Sequence, residues 1–120
     1  MQGLWTLRLW ITTKKTGDTN MSTKLNPIHP GEILWHDFLE PLGISKYRLA
    51  KEIGVPAQRI GEIVAGKRAI TADTDLRLCR FFGLSDGYWL RGQAHYDMQI
   101  ARARIADALA QISPLQQLAA

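Results

Sequence analysis

The stretch SKYRLAKEIGVPAQRIGEIVAGKRAIT, residues 45–71, carries the signal that decides the fold. Its apolar residues recur at helical spacing and predict two short helices that share one buried face: Leu49, Ile53, Val55, Ile60 and Ile63. Ala50 is small enough for the second helix to cross closely over the first. Gly54 supplies the positive φ that a tight turn between crossed helices needs. These features predict a helix-turn-helix.

The residues that this packing leaves outside are suited to contact DNA. In helix-turn-helix proteins the amino-terminal end of the second helix enters the major groove, and Ala57, Gln58 and Arg59 fall at that end. Gln58 can pair with adenine and Arg59 with guanine, and Glu62 can accept a hydrogen bond from cytosine N4. Arg59 can instead hold a phosphate, and the sequence leaves both roles open.

Other polar residues of the same stretch suit the DNA backbone. Ser45 and Lys46 stand at the positive end of the first of the two helices, where a phosphate is favoured. Lys67 and Arg68 follow the recognition helix and suit the neighbouring phosphates. Residues 45–80 hold eight Lys and Arg against four Asp and Glu, an excess equal to the net charge of +4 of the 120-residue chain. A solvated helix face also explains a charge excess by itself, so the prediction of DNA binding rests on the combined pattern.

The rest of the chain predicts an all-α, five-helix domain with short connections. The first helix begins at Pro30 and ends at Pro41 and Gly43. The last is capped by Ser85 and runs past Ile112.

We expect the helix-turn-helix domain to span residues 26–112, with its long last helix, and residues 113–120 to form a tail. Residues 1–25 form an amino-terminal extension that is flexible or lies outside the core. The alternation in Trp5–Ile11 fits a strand. Alternatively, the first twenty residues are a flexible arm, or they belong to an over-extended reading frame and the protein starts at Met21.

Several functional classes lack support in the sequence. Cys79 is the only cysteine, which excludes an intramolecular disulfide and indicates a reducing compartment. We expect Cys79 itself to be a small residue of the core. No apolar run approaches the roughly 20 residues of a membrane span, and no signal peptide is recognisable, so we expect a cytoplasmic protein. His29, His36 and His95 lack the spacing of metal ligands, and His29 suits a structural role. We therefore expect no catalytic residue, metal or cofactor.

The chain resembles a known family, the HigA-type antitoxins of the XRE class, which have lambda-repressor-like helix-turn-helix domains. The resemblance lies in NPIHPGEIL, FLEPLGIS, GVPAQRIGEIVAGKRAITADT, LRLCRFFGLSDGYWL and QAHYDM, which fall between Asn26 and Met98. The HPGEIL opening, together with GKRAIT and YWL, makes it selective. The extension before Met21 departs from the family pattern, as does Trp35, where a polar residue is more usual.

The resemblance implies a homodimer that represses its own operon at a palindromic operator and neutralises a small RelE-like toxin that cleaves mRNA. The alternative is a stand-alone XRE-type repressor without a toxin. A protein-interaction module that has lost DNA binding is a third reading.

The predicted last helix has one apolar stripe that faces the core. A second apolar stripe runs along the same helix and consists of Met98, Ala101, Ile105, Leu109 and Ile112. It is a dimer seam, a toxin-binding face, or one side of a longer intramolecular helix pairing.

Overall fold

The computed structural model describes residues 26–116, and these residues form an all-α helix-turn-helix domain, which confirms the predicted fold class. The first helical segment, α1, is continuous through Pro30–Ile33, the π-helical Leu34–Leu39 and Glu40–Leu42. The helices that follow are α2 Lys46–Ile53, α3 Ala57–Val64, α4 Ala72–Phe82, α5 Tyr88–Arg104 and α6 Ala106–Gln111. The extension 1–25, with its predicted strand, and the end of the tail lie outside the described residues.

The predicted helix-turn-helix packing is present in α2 and α3. Leu49 and Ala50 of α2, with Ile60 and Ile63 of α3, are at most 2% exposed. Gly54 ends α2 with φ 73°, the left-handed conformation expected there. Helices α1, α4 and α5 close the core from the other side: Leu34, Phe38, Leu39, Leu78, Cys79 and Trp89 are all buried.

Helix α1 holds the carboxyl end of α3 in place. Gly31 is buried there, and a Cβ on it would overlap the carbonyl oxygen of Ile63. His29 precedes α1, and its Nδ1 accepts a hydrogen bond from the Gly31 N–H at 2.9 Å. Burial lowers the pKa of His29, which keeps Nδ1 available as an acceptor. His29 therefore has the expected structural role, and the opposite end of α3 stays open.

The prediction that Pro41 helps to end α1 is wrong. Helix α1 passes through Pro41 and ends at Gly43, which has φ 68°. The preceding turn is π-helical, and the Glu40 N–H donates to the carbonyl oxygen of Trp35. A proline inside an α-helix clashes with the carbonyl four residues earlier, and the wider turn accommodates it.

The predicted cap of α5 is also wrong. Gly87, with φ 94°, occupies the cap position instead of Ser85. The Asp75 carboxylate of α4 accepts the N–H groups of Gly87 at 2.7 Å, Trp89 at 2.8 Å and Leu90 at 3.0 Å. A buried carboxylate from another helix thus satisfies donors that a local serine was expected to satisfy.

The predicted long last helix is interrupted. Helix α5 ends at Arg104, Ile105 follows it with a non-helical φ of −111°, and the short α6 begins at Ala106. Residues 101–116 are exposed, so no packing partner among the described residues keeps the helix regular there. The second stripe is indeed unpartnered by the described helices: Met98, Ile105, Leu109 and Ile112 are 43–68% exposed. The proposed intramolecular pairing is absent from the described residues.

No helix within residues 26–116 has the length and apolar character needed to cross a membrane.

Candidate nucleic-acid interface

Helix α3 presents its amino-terminal end outwards. Ile60 and Ile63 face the core, whereas Ala57 and Gln58 are exposed and the Arg59 side chain is 30% exposed. Pro56 precedes the helix, and no side chain caps its first turn. The backbone N–H groups of an uncapped first turn favour an anion such as a phosphate.

Glu62 organises two of the predicted DNA-binding side chains. Its Oε2 accepts a hydrogen bond from Gln58 Nε2 at 3.2 Å, and its Oε1 accepts one from Arg68 Nε at 2.8 Å. The hydrogen bonds from Arg68 and Gln58 lower the pKa of Glu62, so the carboxylate stays charged near neutral pH. The Gln58 amide keeps its oxygen and its second N–H proton for an adenine edge. Each Glu62 oxygen accepts one of these hydrogen bonds and has a second lone pair, so the carboxylate can still accept from cytosine N4.

Arg59 belongs to a second network, with two residues outside the predicted DNA-binding set. Its Nη1 lies 3.7 Å from Asp73 Oδ2 on α4. The same oxygen accepts from Arg77 Nε at 3.0 Å. Arg77 Nη1 donates to the carbonyl oxygen of Ile53 at 2.8 Å and lies 3.4 Å from that of Gly54. Helix α4 therefore connects the turn of the helix-turn-helix to Arg59.

The residues expected at phosphates lie on either side of α3 in the sequence. Ser45 Oγ caps α2 by accepting from the Arg48 N–H at 3.0 Å, and its hydroxyl proton can still be donated. Lys46 Nζ stands 5.4 Å from the centre of the Trp35 ring, a cation–π distance. Trp35 is half-buried beneath it, which accounts for a large ring at this position. Lys67 is exposed in the loop after α3.

The structure thus unites Gln58, Glu62 and Arg68 in one network and places Arg59 in another. The spacing of Asp73 and Arg77, four residues apart on one helix, is a signal that could have revealed that pair. Nothing local in the sequence indicates that Arg77 reaches a turn more than twenty residues earlier.

A metal or thiol chemistry has little support in the described part of the chain. Within residues 26–116, no three His, Cys, Asp or Glu residues are grouped so as to hold a metal ion. Cys79 is buried, and burial raises the pKa of its thiol, which stays protonated.

Comparisons with known proteins agree with this geometry. A helix-turn-helix family model matches residues 36–89. The chain is 51% identical over 74 residues to virulence-associated protein I of Dichelobacter nodosus, covering 62% of this chain and 68% of that protein. It is 31% identical to antitoxin HigA-1 of Vibrio cholerae, covering 78% and 88% of the two chains. Among solved structures, Pseudomonas aeruginosa antitoxin HigA with the higBA promoter is 38% identical, with a TM-score of 0.72, over 75% of this chain and 99% of that one.

Proposed function

The chain belongs to the helix-turn-helix family of the HigA antitoxins, and from this membership we propose that it represses its own operon at a palindromic operator and neutralises a RelE-like, mRNA-cleaving toxin. The observation that carries the DNA-binding part is the open amino-terminal end of α3, with Gln58 and Arg59 at the surface. A similar protein was solved with promoter DNA, which supports the same activity here. The role is one of binding, not catalysis.

The proposed contacts divide into base and phosphate contacts. Ala57, Gln58 and Arg59 approach the base edges, and Glu62 orients Gln58 or takes a cytosine. The residues assigned to phosphates are Ser45, Lys46, Lys67 and Arg68. Arg59 stays assigned to either a guanine or a phosphate. Residues 26–112 are the proposed unit for this function.

We propose that a second copy of the chain covers the apolar stripe on α5 and α6. The exposed Met98, Ile105, Leu109 and Ile112 are unfavourable in water, and burying them against a copy removes that cost. A palindrome also requires two recognition helices related by a two-fold axis. The stripe lies on helices other than α3, so dimer formation leaves the reading surface free.

Toxin neutralisation is tested by co-expression with the small gene adjacent to this one. We expect that gene to stop growth by itself, this protein to restore growth, and the two products to co-purify. The double variant Gln58→Ala, Arg59→Ala should still restore growth, because toxin binding and DNA reading use different surfaces.

The double variant is the control in that experiment, since it separates neutralisation from repression of the operon. If no neighbouring product is toxic, or a toxic one is neither bound nor neutralised, the chain is a stand-alone repressor. If the double variant binds but no longer restores growth, neutralisation proceeds through DNA.

A further inference from the structure

We propose that Asp73 and Arg77 are positioning residues of the DNA-reading surface, which set the direction of the Arg59 side chain from the turn of the helix-turn-helix. The proposal rests on the proposed DNA binding. It adds two residues of α4 to a surface otherwise assigned to α2, α3 and the loop after α3.

The first step is the attachment of Arg77 to the backbone. Its guanidinium donates to the Ile53 carbonyl oxygen at 2.8 Å and lies 3.4 Å from that of Gly54. These carbonyls close helix α2, where the helix dipole favours a cation. The guanidinium group is planar and rigid, and it contacts the turn through Nη1 and Asp73 through Nε. The turn therefore fixes the orientation of the Arg77 guanidinium and, through it, the position of the Asp73 carboxylate.

The second step is the sharing of one carboxylate oxygen. Asp73 Oδ2 lies 3.0 Å from Arg77 Nε and 3.7 Å from Arg59 Nη1. Arg59 has several rotatable bonds, and an arginine that must meet a base edge loses rotational freedom on binding. A fixed carboxylate beside it restricts that freedom beforehand, which favours the correct site over others.

The third step concerns charge. The Asp73 side chain is 59% exposed, and exposed ion pairs add little to folding stability. A negative charge beside the reading surface also repels phosphates, so it weakens binding to any DNA. An arrangement that costs general affinity yet fixes Arg59 contributes to discrimination between sequences.

The test is the specificity ratio, defined as the affinity for a duplex from directly upstream of the gene divided by the affinity for a scrambled duplex. Fluorescence anisotropy measures both. For Asp73→Asn we expect tighter binding to the scrambled duplex and a specificity ratio lower by about five- to tenfold, within the usual range of coupling between contacting residues. Arg77→Ala should lower the ratio as well.

Two matched controls isolate position from charge. Asp86→Asn removes an equal charge from an exposed site before α5, and Arg80→Ala removes an equal charge from the next turn of α4. Both should leave the ratio unchanged. In the Arg59→Ala background, Asp73→Asn should lower the ratio no further, a result that a purely structural role of Asp73 would not produce.

A ratio that Asp73→Asn leaves unchanged, or changes as much as Asp86→Asn does, overturns the proposal. A full effect of Asp73→Asn in the Arg59→Ala background overturns it too. Thermal melting accompanies each variant, and if Arg77→Ala unfolds, the Asp73 series decides. A wild-type protein with no preference between the duplexes overturns the proposed DNA reading itself, and the wild-type titration distinguishes that failure from failure of the positioning role.

Discussion

Asp75→Ala is expected to lower the free energy of unfolding by roughly 3–5 kcal/mol, since it leaves three N–H groups at the start of α5 without their acceptor. Asp75 is 1% exposed, and its carboxylate accepts from the N–H groups of Gly87, Trp89 and Leu90. Water reaches this site poorly, so the lost hydrogen bonds are not replaced. Urea denaturation followed by circular dichroism measures the loss.

Asp73→Ala is the matched control for stability. It removes a carboxylate from the same helix two residues earlier, but that carboxylate is exposed and makes only surface pairs. Its cost should stay below about 1 kcal/mol. A loss for Asp75→Ala as small as that for Asp73→Ala would show that the buried cap does not hold α5 on α4.

Gln58→Ala and Arg59→Ala should each weaken binding to the upstream duplex by roughly 1–3 kcal/mol and relax sequence preference at the bases they contact. The physical reason is that each side chain offers two hydrogen bonds to a base edge that alanine cannot make. Fluorescence anisotropy on the upstream and scrambled duplexes, at several salt concentrations, measures the effect.

Lys67→Ala is the comparison for those two variants. An exposed lysine at a phosphate should contribute equally on both duplexes, and its loss should reduce the salt slope by about one. If Gln58→Ala weakens binding to both duplexes equally, Gln58 does not read bases. The same outcome for Arg59→Ala would assign Arg59 to a phosphate.

The sequence predicts the helix-turn-helix because its determinants are local. Leu49, Ile60 and Ile63 recur at the period of a helix, and Gly54 marks the turn by its conformational freedom. All three apolar residues are buried and Gly54 has a positive φ. The two helices and the turn between them depend on residues that are close in sequence. The sequence therefore also predicts that the candidate site lies on α3.

The features that the sequence does not predict depend on contacts between distant residues. The local sequence predicts that Ser85 caps α5. Asp75 accepts the N–H groups there instead, because packing brings α4 against the start of α5. Arg77 looks like one more surface cation until the turn at Ile53 lies beside it. The break at Ile105 likewise follows no local signal, and it lies within residues 101–116, which are all exposed.

Hydroxyl-radical footprinting of the wild-type protein on the DNA upstream of its gene tests the central claim most directly. Two copies that each insert α3 into the major groove should protect two symmetric half-sites, with centres about 10 base pairs or a multiple of that apart. Protection should appear at protein concentrations that leave a scrambled duplex uncovered. Uniform protection of both duplexes, or none on the upstream DNA, would contradict the assignment of this chain as a repressor of its own operon.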